Sequence, residues 1–430
     1  MHHPRPTRST RPARSALALL AATQFVLVLD SAIVNVALPA VQADLGFTTR
    51  GVTWVVNAYA LLFGGLLLLG GRLSDVVGAR RVFLSGVSLF AAASVTGALA
   101  QTAGALVAAR AAQGIGAALT APAAMALVMA LFDAGPSRNR ALGAMGAAAG
   151  LGGASGSLLG GLLVQVWGWP AILWINVPIG ALIVAAARKR LPAAAPRSSR
   201  AALDLPGAVT ATGAVVSLVY GLIGAAEVGW LTGRAVVPLA AAAGLAAVFV
   251  AVERRVADPL LPPALFAVRG LPGANATVLF SAMAMMPMWF LLTVYLQVVR
   301  GYGPMAAGAA VLPTVAVLVL SNSLAHRVIG RLGVKLPLVL GLLVAAAGLA
   351  WTSDLRPQAS FVGDLLWPQL VTGSGFGLAF VAGTVSATSR VPAERSGTAA
   401  GVYNTSQQVG GAIGLAVLAA VAAGAGAGDA

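Results

Sequence analysis

Apolar residues dominate thirteen segments of the chain, and short polar loops separate these segments. Each segment has roughly the 20 residues that an α-helix needs to cross a bilayer. We therefore predict an all-α polytopic membrane protein with 13 spans. The predicted spans are 16–40, 51–70, 82–100, 104–132, 141–166, 170–187, 206–226, 235–252, 272–297, 303–325, 336–352, 361–388 and 398–424.

The composition indicates that lipid is the main solvent and argues against an enzyme. Hydrophobic residues make up 59% of the chain and charged residues only 9%, against about 25% charged residues in a soluble domain. The absence of Cys excludes disulfides, thiol catalysis and thiolate metal sites. The histidines His2, His3 and His326 fall in the predicted tail and a loop, and no phosphate-binding loop is present. We expect no metal and no cofactor, with a proton gradient as the energy source.

Basic residues are distributed unequally between the two predicted sides of the membrane. Of the 27 Lys and Arg residues, 22 fall in loops on one side, 4 fall on the opposite side, and Arg110 alone lies within a span. The positive-inside rule places the richer side in the cytoplasm. The N-terminus is then cytoplasmic and, with 13 spans, the C-terminus is outside. The net charge of +15 follows from this topology, so we expect no nucleic-acid partner.

Asp30 is a carboxylate placed deep inside the first predicted span. A charge at such a depth costs roughly 2.5–3.5 kcal/mol on insertion scales, and a buried acid resists ionisation, which suits a proton carrier. Measured from the predicted outer ends of their spans, Asp30 lies about 13 Å deep and Arg110 about 9 Å deep, at 1.5 Å per residue. We predict that Asp30 and Arg110 couple protons; the alternative is a static ion pair that fastens two helices.

Glycine-rich segments repeat along the chain at a nearly constant offset. Gln113–Gly116 matches Thr372–Gly375 at an offset of 259, and Gly152–Gly156 matches Gly410–Gly414 at an offset of 258. Because this offset corresponds to eight spans, an even number, both copies keep the same orientation. Parallel repeats of this kind are related by an axis along the membrane normal.

The repeat also aligns the charged positions of the first half with positions of the second. Arg110 corresponds to Gln369, and Asp30 corresponds to Met285 or its neighbours, so the second half lacks both charges. The predicted domains are a cytoplasmic basic tail (1–15), an N-terminal six-helix bundle (16–187), a cytoplasmic linker (188–205), two extra transmembrane helices (206–252), a second cytoplasmic linker (253–271) and a five-helix C-terminal bundle (272–430).

The loop between spans two and three carries the pattern G-x-L-x-D-x-x-G-x-[RK]-[RK] at Gly71–Arg81. Its glycines permit a tight turn, and its Asp and three Arg can form an ion network. The pattern resembles the loop signature of the major facilitator superfamily, which implies a cytoplasmic gate that latches and must break on inward opening. The alternative is a solvated charged loop. The predicted gate residues are Gly71, Arg72, Asp75, Gly78, Arg80 and Arg81.

Further segments resemble the fourteen-helix drug:proton antiporters of this superfamily. They are Leu29–Pro39 in the first helix, Arg110–Gly116 in the fourth, Gly150–Gly161 in the fifth, Trp174–Gly180 in the sixth and Asn404–Gly414 in the thirteenth. The resemblance implies two pseudo-symmetric bundles with two extra helices between them, neighbouring positions for spans one and four, and exchange of drug for proton. The candidate antiport motif consists of Gly150, Gly153, Gly156, Gly160 and Gly161.

The chain departs from the family pattern in two places. Ser157 stands where the fifth-helix signature usually has Pro, and no fourteenth span follows the thirteenth. Since the family's last helix packs at the edge of the second bundle, its absence would bear on stability rather than on the central site.

Met, aromatic and uncharged polar side chains within the spans are candidates for a substrate cavity. Met and aromatic residues make adaptable contacts with varied apolar ligands, although ordinary packing is the alternative for each of them. The candidate cavity residues are Asn35, Trp54, Tyr59, Met286, Trp289, Phe290, Asn404 and Gln408.

These observations predict proton-coupled efflux of amphipathic drugs, antibiotics or secondary metabolites by alternating access. The expected partners are a small-molecule substrate, protons and the lipid bilayer, and the expected location is a bacterial plasma membrane, with the protein as a monomer. Two alternatives stay open: a substrate:proton symporter for uptake, and a membrane protein that is inactive or does not transport.

Overall fold

The computed structural model describes residues 10–48, 51–133, 135–191, 204–256, 259–262, 265, 267–268, 270–354, 360–388, 391 and 395–428. Within these ranges the secondary structure is helical, and no strand occurs. The predicted basic tail, apart from Thr10–Ser15, and most of the linker 188–205 lie outside the described residues.

Fourteen α-helices make up the described part of the chain, and π-helical turns precede α3 and α13 and follow α10. The helices are α1 (Thr10–Leu45), α2 (Trp54–Leu73), α3 (Ala79–Ala98), α4 (Ala103–Leu131), α5 (Pro136–Trp167), α6 (Ala171–Trp174), α7 (Asn176–Arg190), α8 (Leu205–Val228), α9 (Gly233–Glu253), α10 (Leu271–Val294), α11 (Pro304–Leu332), α12 (Lys335–Trp351), α13 (Trp367–Thr388) and α14 (Ser396–Gly428).

The number of membrane spans is smaller when length and apolar composition are the criteria. Nine segments of the described chain are long and apolar enough to cross a membrane, or ten if the two parts of α5, whose directions differ by 44°, count as one span. One of the nine, Trp54–Ala98, combines α2 and α3. The count of 13 is therefore not confirmed and stays a prediction.

Several helices extend beyond the apolar segments that predicted them. The clearest case is α11, which continues to Leu332, so that His326 lies within a helix and the expectation of a loop was wrong. An apolar run marks only the part of a helix that meets hydrocarbon. The helix itself can continue into the headgroup region, because its backbone hydrogen bonds do not depend on hydrocarbon. There Arg side chains such as Arg327 and Arg331 reach water.

The predicted repeat is visible in how the helices pack. In the first half (α1–α7), a Cβ on Gly114 of α4 would lie 2.6 Å from the Tyr59 carbonyl oxygen of α2. In the second half (α10–α14), a Cβ on Gly373 of α13 would lie 2.7 Å from the Thr314 carbonyl oxygen of α11. Both contacts require Gly, because a side chain there would collide with backbone. Small residues let membrane helices approach closely where the hydrophobic effect gives no drive.

The two halves meet mainly along two pairs of helices, α2 with α14 and α5 with α11, and α4 also packs against α14. We call the end of the helices that carries Arg72, Arg80, Arg81 and Arg188 the basic end. Close approaches between the halves include Leu67 with Gly401 in the first pair and Gly143 with Asn322 in the second. These residues belong to the parts of α2 and α5 nearest the basic end, so the halves are closed together there.

The hairpin formed by α8 and α9 packs beside the seam between α2 and α14. A Cβ on Gly65 of α2 would collide with the side chain of Val216 of α8. Nearer the basic end, Leu68, Ala211 and Leu260 form a buried cluster against which Val402 of α14 packs. The hairpin therefore contacts both halves instead of forming a separate unit.

A pair of Gly→Ala substitutions in α4 tests this packing. A Cβ at Gly116 would lie 2.7 Å from the Phe90 nitrogen and 2.8 Å from the Gly86 carbonyl oxygen. A Cβ at Gly104, in contrast, would have no atom of the described residues within 4 Å. Ala favours a helix over Gly by up to about 1 kcal/mol. Gly104→Ala should therefore keep or raise the thermal unfolding midpoint in detergent. Gly116→Ala should lower it, because overpacking costs roughly 1–3 kcal/mol. Equal midpoints for the two variants would contradict the packing.

Candidate functional site

The Asp30 carboxylate lies at the centre of a hydrogen-bonded network inside the first half. Arg110 Nη1 donates to Asp30 Oδ2 at 2.6 Å, and Asn176 Nδ2 donates to Oδ1 at 2.6 Å. Gln113 Nε2 donates to the same Oδ1 at 3.2 Å. Asp30 is 0% exposed and Arg110 is 1% exposed. The structure thus brings together the two charges that the sequence placed at similar depth.

The Arg110 guanidinium has further partners that hold it in this position. Its Nη1 also donates to Gln113 Oε1 at 2.8 Å, and its Nε donates to the Val55 carbonyl oxygen at 3.0 Å. Its central carbon lies 4.5 Å from the centre of the Tyr59 ring, within the range of a cation–π interaction. Gln113 Nε2 in turn donates to Ser94 Oγ at 2.8 Å. Side chains and backbone of α1, α2, α3, α4 and α7 therefore converge on one charge pair.

Three members of this network were not among the predicted site residues: Ser94, Gln113 and Asn176. Gln113 and Asn176 did lie in segments that the sequence singled out, Gln113 in the repeat and Asn176 in the sixth-helix motif. Buried polar groups need hydrogen-bond partners, so a polar residue inside an apolar span next to a charge was the available indication. Ser94 carried no comparable indication.

The equivalent position of the second half is polar but uncharged. Thr314 Oγ1 of α11 donates to Gln369 Oε1 of α13, and both residues are buried. Gln369 Nε2 is buried and has no hydrogen-bond partner among the described residues. Gln369 occupies the position that the repeat assigned to Arg110, so the two halves share a scaffold but differ in charge.

At the basic end, Asp75 joins the first half to the second. Its Oδ1 accepts from the Gly397 N–H at 2.8 Å, and its Oδ2 accepts from the Thr398 N–H and the Thr398 Oγ1, both at 2.8 Å. These donors form the first turn of α14, where unpaired N–H groups and the helix dipole favour an anion. Gly71 and Gly397 lie backbone to backbone beside this contact. Together they form the latch, Gly71 and Asp75 with Gly397 and Thr398.

The remaining predicted gate residues have other surroundings. Arg72 is buried, and Gly78 turns the chain with φ of 101°, which favours Gly. Arg80 donates to the Arg188 carbonyl oxygen at 2.6 Å, at the end of α7 in the same half, and Arg81 is exposed. The expected network of Asp75 with all three arginines was wrong for Arg80 and Arg81. Asp75 is instead satisfied by backbone donors from the other half, which no local spacing reveals.

Two glycines of the candidate antiport motif pack tightly on α1. A Cβ on Gly156 would lie 2.5 Å from the Ala32 Cβ, and one on Gly160 would lie 2.9 Å from the Ile33 side chain. Gly152, one turn earlier and not in the predicted set, would meet the Phe25 carbonyl oxygen at 2.5 Å. The spacing of four residues places Gly152, Gly156 and Gly160 on one face of α5, as a helix requires.

The other three glycines of the motif are less tightly packed on α1 or face elsewhere. Gly150 faces α11 of the second half, where a Cβ would lie 3.0 Å from the Leu318 side chain, so it lies on the seam. A Cβ on Gly153 would have only Val28 nearby, at 3.7 Å, and one on Gly161 would meet open space. The prediction of one packing motif was therefore wrong for Gly161, because consecutive glycines on a helix point in different directions, whereas Gly153 faces α1 with a looser contact than Gly156 and Gly160 have. The side chain of Ser157 lies outside the described residues.

The predicted cavity residues of the first half lie in three different environments. Tyr59 is buried under Arg110 and belongs to the charge network. Trp54 packs against Tyr220 of α8, with ring centres 5.9 Å apart. Asn35 is exposed, and its amide donates to the Ser31 carbonyl oxygen of its own helix at 3.0 Å. The structure therefore does not gather these three side chains into one cavity.

Two predicted residues of the second half lie at helix contacts. Met286 of α10 packs against Gly411 of α14, where an added Cβ would lie 2.9 Å from the Met286 side chain. Gln408 of α14 faces Gly64 of α2 across the seam, where the corresponding distance is 3.6 Å. Gln408 is thus placed where relative movement of the halves would change its surroundings.

The last three predicted cavity residues are held locally or exposed. Trp289 packs against the buried cluster that includes Leu292 and Leu296. Phe290 is 54% exposed, and the Asn404 amide donates to the Ala400 carbonyl oxygen of its own helix at 2.8 Å. None of the three lines a small cavity that lies in the second half.

That cavity lies between α10, α13 and α14. Its volume of about 20 Å³ has room for roughly one water molecule. Its lining is mostly apolar and aromatic and includes Met285, Phe376, Phe380, Tyr403 and Gln407. Met285 and Gln407 line this cavity, whereas the predicted residues were their sequence neighbours Met286 and Gln408. Adjacent residues of a helix point to different faces, so a prediction that is off by one residue names a side chain on another face.

Two pseudo-symmetric helix bundles that are latched at one end, with a buried charge network in one bundle, define a membrane transporter rather than an enzyme. The comparisons agree with this class. The family model "Major Facilitator Superfamily" matches residues 20–415, and the chain belongs to this family. It is a multi-pass membrane protein.

Similar proteins include antibiotic export and resistance proteins, which indicates small molecules as substrates. The chain is 40% identical to the cephamycin export protein CmcT of Amycolatopsis lactamdurans over 96% of this chain and 86% of that protein. It is also 40% identical to the puromycin resistance protein pur8 of Streptomyces alboniger, over 95% and 82%. The crystal structure of the human organic anion transporter MFSD10 (TETRAN) shares the fold, with a TM-score of 0.70 at 16% identity over 95% of this chain and 94% of that chain.

The latch can be tested with a single introduced thiol, since the native chain has no Cys. Gln408→Cys places the thiol on the seam between α2 and α14. Adding Asp75→Asn should raise its rate of reaction with a maleimide, because a neutral amide binds the first turn of α14 less well than a carboxylate does.

The matched control for the latch is Arg81→Gln, since Arg81 is exposed in the first turn of α3, six residues after Asp75. This change should leave the labelling rate of the introduced thiol unaltered. Equal rates with and without Asp75→Asn would show that the latch does not hold the halves closed.

Proposed function

We propose that this protein exports amphipathic antibiotics or related metabolites in exchange for protons across a bacterial plasma membrane. The direction and the substrate class are supported by the relatives, which are named for cephamycin export and puromycin resistance. Proton coupling is supported by the buried Asp30 network. The protein would act as a monomer, with substrate, protons and lipid as its partners.

The observation that carries proton coupling is the enclosure of Asp30. Its two oxygens accept three hydrogen bonds, from Arg110, Asn176 and Gln113. These bonds occupy three of about four lone-pair positions of the carboxylate, and a proton added to it would weaken the charge-assisted bond from Arg110. Binding would also leave the Arg110 charge uncompensated in a medium of low dielectric constant. Protonation of Asp30 is therefore linked to a change in the contacts of α1 with α4 and α7.

A change in the contacts of Asp30 needs two states of the protein, and these would be a state with the latch closed, as here, and a state with the latch open. The positive-inside rule orients the basic end toward the cytoplasm, so the closed end of the molecule would be the cytoplasmic one. Export requires that the latch open to admit substrate and close again before release outside. Rearrangement of α4, which packs against α2, would carry the change at Asp30 toward Gly71 and Asp75 at the end of α2.

The second half carries side chains that suit an amphipathic substrate, and the cavity that they line, with room for about one water molecule here, would have to widen to admit it. Its small cavity combines Met285, Phe376 and Phe380 with the polar groups of Tyr403 and Gln407. Met and aromatic side chains adapt to ligands of different shape. The absence of charge at Gln369 fits a half that shapes the substrate site while the other half binds the proton.

The test of this proposal is proton movement in vesicles that contain the purified protein and a pH-sensitive dye. Cephamycin and puromycin serve as the first probes. Addition of a transported probe should release protons from a preset gradient. Asp30→Asn should abolish this release, because an amide, unlike a carboxylate, does not bind a proton at the pH at which the vesicles are studied. Asp44→Asn is the matched control on the same helix, since Asp44 bonds to Trp169 near the far end of α1. Full activity of Asp30→Asn would contradict the proposal.

A double variant separates lost coupling from lost folding. Removal of one partner of a buried ion pair lowers the free energy of unfolding by roughly 3–5 kcal/mol, because the other charge is left uncompensated. Asp30→Asn alone can therefore also lower the stability of the protein. Asp30→Asn with Arg110→Gln removes both charges and should recover the thermal unfolding midpoint without recovering proton release. Accumulation of the probe in whole cells, instead of its depletion, would favour the symport alternative.

A further inference from the structure

A groove runs along the outer surface of the first half, between α3 and α7. Its volume is about 390 Å³, which lies within the range of sites that hold a small ligand. The floor is the contact of Ala91 with Gly180, where a Cβ on Gly180 would lie 2.8 Å from the Ala91 Cβ. Small side chains, among them Ala92, Ala181 and Ala185, form the walls. The groove exists because these residues are too small to fill the angle between the two helices.

The length and direction of the groove match one leaflet of a bilayer. On α7 its lining extends from Val177 to Arg188, a distance of about 16 Å at 1.5 Å per residue. Half of the hydrocarbon core of a bilayer is about 15 Å thick. The groove therefore begins near the middle of the membrane and ends at the basic end. The solvent at this surface is lipid, so the ligand available along its whole length is an acyl chain.

The charge at the basic end of the groove selects among lipids. Arg188 lines the groove itself, and Arg80 donates a hydrogen bond to the Arg188 carbonyl oxygen at 2.6 Å. Arg81, Lys189 and Arg190 are exposed beside them. The sequence has no acidic residue between Asp133 and Asp204, so neither α7 nor the segment that follows it supplies a counter-ion. Basic pockets on the cytoplasmic side of helix pairs bind anionic head groups.

We propose that this groove binds an anionic phospholipid, with one acyl chain between α3 and α7 and its phosphate at Arg188. The site is separate from the Asp30 network and from the latch, and its existence does not depend on the transported substrate. An occupied groove would fill the angle between α3 and α7 and so support the position of α7, which carries Asn176 at its other end.

The experiment is native mass spectrometry of the full-length protein released from vesicles of equal parts phosphatidylglycerol and phosphatidylcholine. The measured quantity is the ratio of the two lipids retained on the protein. We expect more phosphatidylglycerol than phosphatidylcholine on the unmodified protein. Arg188→Gln should lower this ratio about fivefold, the effect expected for removal of one basic group near an anionic lipid. Lys189→Gln, also at an exposed position, provides a second charge variant.

The second arm of the experiment tests the groove itself. Ala92→Phe places a large side chain in the groove and should reduce the retained phosphatidylglycerol, whereas Ala246→Phe, on an exposed face of α9, should not. Arg327→Gln, on α11 of the second half, is the matched charge control and should leave the ratio unchanged. A ratio of one on the unmodified protein, or retention that Ala92→Phe does not reduce, would overturn the proposal. Because no transport is measured, failure here leaves the proposed export intact.

Discussion

The rest of the structure depends on the compensation of one buried charge pair. A carboxylate and a guanidinium inside a bilayer are stable only where their partners are complete, because water cannot replace a missing one. Asp30 and Arg110 meet this condition through donors and acceptors from neighbouring helices, with Tyr59 covering the guanidinium. The same condition fixes where α1, α4 and α7 lie relative to one another. A proton bound to Asp30 would therefore disturb the contacts of α1 with α4 and α7, on which the packing of the first half depends.

The two halves use one scaffold for different purposes. Gly114 and Gly373 occupy equivalent positions, and each allows a helix to cross a neighbouring backbone closely. The charge network occurs in the first half, while Thr314 and Gln369 occupy the equivalent place in the second. Packing by small residues is therefore the shared element, and charge is the element that differs. This division is the one that the proposed mechanism uses, with the proton bound in the charged bundle and Met and aromatic side chains of the other bundle facing the substrate.

Connections between the bundles are made where polar backbone or small residues come to the seam. Asp75 satisfies the first turn of α14, and α8 lies beside the same seam with Val216 against Gly65. A helix N-terminus and a carboxylate can separate and meet again at modest cost when water enters, unlike the enclosed Asp30 pair. The structure thus places a contact that can open at the basic end and an enclosed contact deep within the first half.

The sequence by itself determined the helical membrane class, the repeat, and the positions of Asp30, Arg110 and the Gly71–Arg81 segment as unusual charges at or within apolar spans. These depend on local properties: apolar length, glycine spacing, and a charge where hydrocarbon is expected. Only the tertiary structure decided which partners each side chain has. Asn176 and Ser94 reach the network from helices distant in sequence, Asp75 binds the other half and not Arg80 or Arg81, and Gly161 faces open space although Gly160 is packed. A helix turns by about 100° per residue, so composition identifies a helix, whereas the faces it presents and the partners it meets are set by how the helices pack.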